Sequence, residues 1–166
     1  MAVLDILTWP DPRLKKAAHP VVHFNDSLHA FISDLEDTLY AGPAAVGIAA
    51  PQVGVAQRIV IINVNERKNS SNHGRQVLIN PEITHWGGSA VGREGCLSVP
   101  DYTGNVMRAA EVKVTAENLQ GQPQTWQMTG FEARVVQHEI DHLDGLLFLD
   151  RLVSRRHDLF RRKHYR

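Results

Sequence analysis

The chain has 166 residues, with 18 Lys/Arg against 18 Asp/Glu and 43% hydrophobic residues. That length supports one domain, 1–166, with a real core, and the balanced charge excludes a global field for nucleic acid. No stretch is long and apolar enough to span a membrane, and "MAVLDILTWPDPRLKKAA" lacks the basic-then-apolar order of a secretory signal. The lone cysteine, Cys96, rules out an intrachain disulfide and fits a reducing setting, so the expected location is cytoplasmic.

In chain order, the two prolines of "WPDPRLKKAA" allow at most one or two helical turns. "NDSLHAFISDLEDTLYAG" predicts a helix: Leu28, Phe31, Ile32, Leu35 and Leu39 share a face, Asn25 or Asp26 caps the start, and Gly42 suits the stop. "QRIVIINV" (57–64) reads as a buried strand and 65–75 as a loop. "QVLINPEITHWG" reads as strand, bend, strand. "AEVKVTAENLQGQPQTWQMTG" is a hairpin turning at "NLQGQ", and "FEARVVQHEIDHLDG" is a helix closed by Gly145. The tail, 151–166, holds seven of the basic residues and one acid, Asp158, which leaves about −6 on the rest. It is expected to be mobile, with a short basic helix after Ser154. Helix, many strands, then helix, without βαβ alternation, argues for an α+β fold with mostly antiparallel strands. In that fold the strands pack around a central helix carrying H-E-x-x-H, with an amphipathic helix nearer the N-terminus.

The chemistry concentrates in "QHEIDHLDG" (137–145). On a helix, Phe131, Val135, His138 and His142 share a face, so both imidazoles address one spot. Glu139, about 100° round from His138, lies beside it, where a carboxylate can move the protons of an attacking water. The plainer reading is an amphipathic helix with incidental histidines, but Val135 in the same row turns that face inward, and two buried imidazoles without partners are costly. The third ligand is not downstream in the usual protease places. Position 148 is Phe148, and no glutamate follows Glu139. Asp150 sits in an expected exposed turn, and His157 and His164 in the basic tail. Cys96, in "REGCLSVP" (93–100), is the favoured candidate, since a thiolate binds borderline metals tightly and Cys plus two His leaves a fourth position open. Alone, it would read as a small buried apolar residue. In "AAVGIAAPQVG" (44–54), Gly47 lets the backbone approach a neighbour, and Gln52 offers an amide donor.

Together, "AVGIAAPQ" (45–52), "EGCLS" (94–98) and "QHEIDHLDG" (137–145) resemble the three ordered motifs of the peptide deformylase family, and the resemblance extends over almost the whole chain. It implies a metal-dependent hydrolase that removes the N-formyl group from the initiator methionine of new polypeptides and releases formate. It implies one divalent ion, Fe2+ in cells, with Zn2+, Ni2+ or Co2+ as replacements, held by Cys96, His138 and His142. It further implies Glu139 as acid and base, and Gln52 and the Leu97 N–H as oxyanion donors. Two positions depart from the family pattern: Ala45 replaces the first glycine of the loop motif, and Thr103 stands where many members carry arginine. "GFEAR" is similar to an organelle-like branch.

The partners expected are formyl-methionyl nascent peptides, with no membrane and no DNA. Val46, Phe131 and Val135 are candidates for a methionine pocket, and for Val135 a core role is compatible with this. An extended peptide is expected to pair with the backbone around Gly47. The basic tail is a solvated end or a ribosome contact. The rival functions are a metal binder without catalysis and a zinc endopeptidase.

Overall fold

The computed structural model describes residues 2–64 and 72–162. The expected loop therefore lies largely outside the described residues, as do His164 and the end of the tail. The N-terminal prolines give one 3-10 turn, Pro12–Lys15. Helix α1, Asp26–Ala41, starts on Asn25, whose side chain accepts the Leu28 N–H, and stops at Gly42. Strands follow as β1 Gly47–Ala49, β2 Ile59–Asn63, β3 Arg75–Gly87, β4 Ala90–Cys96, β5 Val99–Arg108, β6 Glu111–Glu117 and β7 Pro123–Thr129. A second 3-10 turn, Ala50–Val53, follows β1, and helix α2, Gly130–Leu143, precedes a third, Phe148–Arg151, and a last strand, β8 Leu159–Arg161.

Two antiparallel sheets form, one ordered β1-β2-β3-β6-β7 and one ordered β4-β5-β8. The five-stranded sheet is covered on both faces, which explains the unbroken apolar run of β2. Val60 and Ile62 point into a core with Ala133, Val136, Ile140 and Leu143 of α2. Ile59 and Ile61 point the other way, into Leu28, Ile32, Leu35 and Leu39 of α1. A fully buried Leu or Ile contributes about 1.5–3 kcal/mol by leaving water, so both helices are held by the same strand. The small sheet has its own core of Val99, Val106, Leu14, Leu147 and Phe148, and Cys96 belongs to it.

Three expectations change. The strand-bend-strand at 76–87 is one continuous strand with register shifts between Ile79 and Glu82 and between Ile83 and His85. Asn80 takes φ 52° there, and its amide both accepts from the Val21 N–H and donates to the Val21 carbonyl; this bulge replaces the bend. The segment 90–108, for which no strand is expected from sequence, supplies the hairpin β4–β5. The tail is neither helical nor loose over its described part. After a turn at 155–157 it runs as β8 along the open edge of β5, with Thr103 opposite Phe160. The Phe160 ring lies 3.9 Å beneath the Arg93 guanidinium, so an aromatic and an edge of unpaired backbone outweigh the helical pattern of the arginines.

Candidate metal centre

Cys96 is the last residue of β4. A register shift between Glu94 and Cys96 and the tight turn at Leu97-Ser98 bring the chain back so that Cys96 faces Val99. The Ser98 N–H points at the Cys96 sulfur at 3.4 Å, and the Gln52 amide nitrogen reaches it at 3.5 Å. Gln52 is oriented from its other end: its carbonyl oxygen accepts the Ala49 N–H at 2.9 Å, so the NH2 faces Cys96 and the Ser98 hydroxyl.

His138 and His142 come from α2, which is buried on nearly every side from Ala133 to Leu143. Their rings meet edge to face with centroids 5.1 Å apart, and His142 Nε2 lies 3.4 Å from the Cys96 sulfur. The ligand atoms of Cys96, His138 and His142 all fall within 4.8 Å of one another, a cluster of this kind found nowhere else among the described residues. Phe148, which occupies the place of a protease's third histidine, stacks on His138 instead. Asp150 is paired with Lys15 and the Leu147 N–H, and His157 lies in an exposed turn.

The electrostatics favour a cation at this point. Burial and the neighbouring His138 and Arg108 hold His142 well below its ordinary pKa, so its nitrogen keeps a lone pair. Burial opposes charge on His138, yet the Cys96 sulfur and the Glu94 carboxylate on either side of it raise its affinity for a proton well above the ordinary value. Behind the ring, His138 Nδ1 donates to Glu94 at 2.8 Å, which turns Nε2 toward Cys96. Glu94 is in turn held by two bonds from Arg108, at 2.9 Å each, and one from Arg134 at 2.7 Å. Arg108 also donates to Asp141 at 2.5 Å, and Asp141 accepts from Arg151 as well. Burial alone would raise the Glu94 pKa, but Arg108 and His138 hold it far below the carboxylate range.

Glu139 is fully buried. Loss of solvent, with a smaller push from Glu94 and an opposing pull from His138 and Arg108, moves its pKa up to about 7. Its Oε1 is buried without a partner. The neighbour that Gly47 approaches is this carboxylate: a Cβ on Gly47 would lie 2.6 Å from Glu139 Oε2.

Gln52, Glu94, Cys96, Arg134, His138 and Glu139 border one cleft of about 570 Å3, whose walls also include Val46, Gly47, Leu97, Phe131 and Val135. His142 lies deeper, 1% exposed. Val135 also belongs to the main core, and Val46 and Phe131 pack against it. The left-handed residue in the wall loop is Ala44, φ 54°, and not Ala45. Thr103 accepts from Arg93 at 3.3 Å. Sequence reasoning missed the supporting carboxylates and cations, Glu94, Arg108, Arg134 and Asp141. The available signal was charge at inward positions: Asp141 between the two histidines, and Glu94 two residues before the cysteine.

The family model described as polypeptide deformylase matches residues 3–158. A peptide deformylase from Alkalilimnicola ehrlichii is 44% identical over 165 residues, covering 98% of this chain and 89% of its own. The crystal structure of a peptide deformylase from Legionella pneumophila superposes with a TM-score of 0.84 at 42% identity, over 92% of this chain and 88% of that one. A peptide deformylase from Ehrlichia chaffeensis in complex with actinonin gives 0.86 at 34% identity, over 94% and 92%. A cleft with two imidazoles, a thiol and a buried carboxylate at its floor, on a fold and sequence shared with these proteins over nearly their whole length, assigns this chain to the peptide deformylase family.

Proposed function

We propose that this chain is a metal-dependent hydrolase that removes the formyl group from the N-terminal formyl-methionine of newly made polypeptides. The observation that carries the reading is the convergence of Cys96, His138 and His142 beside a fully buried, partly unpartnered Glu139. A binder without catalysis has no use for such a carboxylate. An endopeptidase of the H-E-x-x-H type has no counterpart here for its downstream ligand.

Cys96, His138 and His142 would hold one divalent cation, whose chemistry there is Lewis acidity toward a carbonyl oxygen and toward water. The donor set suits zinc as well as iron; Fe2+ is our assignment in the cell, with Zn2+, Ni2+ or Co2+ as replacements. Glu139 accepts a proton from the attacking water as its oxygen bonds to the formyl carbon. The charge that develops on the formyl oxygen is met by the Gln52 NH2, already aimed into the site by its bond from Ala49, and by the Leu97 N–H; one such donor is worth roughly 3–4 kcal/mol of barrier. Glu139 then gives the proton to the departing nitrogen, the C–N bond breaks, and formate and a free amino terminus remain. Burial, which favours the protonated form of Glu139, offsets the pull of a neighbouring cation and suits a group that takes a proton and gives it back.

Val46, Phe131 and Val135 form the wall that would receive the methionine side chain, and the edge of β1 at Gly47 offers backbone groups to an extended peptide. Deformylation of formyl-Met-Ala-Ser by anaerobically prepared protein, with metal analysis of the same sample, tests the reading; no formate released by iron-loaded protein refutes it. Formyl-Gly-Ala-Ser should react far more slowly, and equal rates would remove the methionine pocket.

The whole chain acts, in this reading, as one cytoplasmic catalytic domain, consistent with a single buried thiol and with no described helix long and apolar enough to cross a membrane. The exposed turn carrying Arg155, Arg156 and His157 is the part of the tail that would contact ribosomal RNA. Arg155→Glu with Arg156→Glu should weaken salt-sensitive ribosome binding, and unchanged binding would refute that contact.

A further inference from the structure

Three arginines line the cleft: Arg93, Arg134 and Arg162. Two of them are committed. Arg134 donates to Glu94 and to the carbonyls of Val106 and Ala90. Arg93 donates to Asn105 and Thr103 and lies over the Phe160 ring. Arg162 is different. Its backbone N–H is fixed to the Asp101 carbonyl at 2.7 Å, immediately after β8, so its position is set by the sheet. Its guanidinium lies across the bare backbone of Gly95, where a Cβ would come 2.3 Å from Nη2. Its Nε is buried with no hydrogen-bond partner. The carboxylates of the cleft wall do not serve it, since Glu94 is taken up by Arg108, Arg134 and His138, and Glu139 faces Gly47.

A guanidinium held at a cleft wall, against the residue next to Cys96 and with no carboxylate paired to it among the described residues, is a receptor for a carboxylate or carbonyl oxygen. We propose that Arg162 is a specificity residue of this enzyme: it binds an oxygen of the peptide segment that follows the formyl-methionine, and so favours substrates with an acidic side chain there over those with a basic one. This rests on the reading of the cleft as the site for formylated peptides. Space for the contact exists because residue 95 is glycine and residue 103 carries only a threonine methyl at that wall. Arg162 acts on binding and not on the reacting atoms, so its signature is in KM.

The test uses C-terminally amidated formyl-Met-Ala-Ser, formyl-Met-Ala-Asp, formyl-Met-Asp-Ser and the two matching lysine peptides, with the full chain loaded with metal. Wild-type protein should show kcat/KM about five- to tenfold higher for the better aspartate peptide than for its lysine partner, the range expected for one partly exposed charge pair plus repulsion of the wrong charge. Arg162→Gln should bring that ratio close to one by raising KM, with kcat and metal content retained; Arg162→Glu should invert it; and Arg162→Lys should keep most of it. A wild-type ratio near one, a ratio unchanged in Arg162→Gln, or a fall in kcat on all five peptides with loss of metal would each overturn the assignment, the last by making Arg162 a structural plug. If the wild type deformylates none of the peptides, the underlying function fails and this inference falls with it; if it deformylates all of them without charge preference, only this inference fails.

Discussion

Gly47 and Glu139 touch across the cleft floor, with the Glu139 carboxylate lying where a side chain on residue 47 would be. An added methyl would sit 2.6 Å from Oε2 and 2.9 Å from Cγ, below any ordinary contact distance. Glu139 therefore has its place only because residue 47 has no Cβ. Gly47→Ala should displace the carboxylate and lower kcat about 100-fold, the usual effect of moving a reacting group by an ångström. Metal content should be unchanged. Full activity in Gly47→Ala, measured by formate release, would mean that Glu139 is free to act from elsewhere.

Glu139→Gln keeps the shape of the side chain and removes its basicity. The expected result is a folded protein with full metal content and kcat lowered roughly 10²- to 10⁴-fold. Metal analysis alongside turnover distinguishes this from damage to the site.

Cys96→Ala and His142→Ala should lose the ion itself. In the parent protein a divalent metal should raise the melting temperature, because a site formed by folding binds it more tightly than the unfolded chain does. In either variant the rise should vanish, and titration calorimetry should find no tight site. A variant that still binds metal tightly would show that the ligand set is different.

Arg108 lies 4% exposed between two acids, Glu94 and Asp141. Replacing it with methionine fills the space but takes the buried cation shared by both carboxylates, leaving Arg134 alone to balance Glu94, which orients His138, and the half-exposed Arg151 to balance Asp141. The expected loss is about 3–5 kcal/mol of stability in urea denaturation. Arg108→Met combined with Glu94→Gln and Asp141→Asn should recover part of that loss, since it removes the buried uncompensated charge.

Asp150 gives a pH test away from the site. Burial opposes its charge, but the Leu147 N–H and the Lys15 ammonium hold its pKa below the ordinary value. A depressed carboxylate stabilises the fold fully above its unfolded pKa of ~3.9 and loses that contribution as pH falls through the lower folded value. Melting curves of wild type and Asp150→Asn should therefore differ more at pH 7 than at about pH 3, which lies below the unfolded pKa. An equal difference at both pH values would assign the effect to the hydrogen bond and not to the charge.

Helix α1, strand β2, the β6–β7 hairpin and helix α2 were legible because each carries its period or its turn locally. The histidine pair was legible for the same reason: four residues on a helix is a distance. The β4–β5 hairpin was not, because "AVGREGC" and "VPDYTGNVMR" mix glycines and charges and lack clean alternation. Those charges face inward to one another, and Glu94, Arg108 and Asp141 find their partners only when β4, β5 and α2 meet. The tail misled through composition: its arginines favour a solvated helix, whereas Leu159 and Phe160 decide the outcome by pairing with a free sheet edge. Arg162 was invisible as a cleft residue, since its position depends on that pairing and on a glycine 67 places earlier.

The three side chains proposed to hold the metal do not come from one layer of the fold. Cys96 is rooted in the small sheet, and both histidines in the helix that the large sheet carries. An ion gripping all three would act as a rivet through the joint between the sheets. Heat or denaturant that lets the layers slide would then open the coordination sphere before either layer unravels, so loss of metal should be the first step of inactivation.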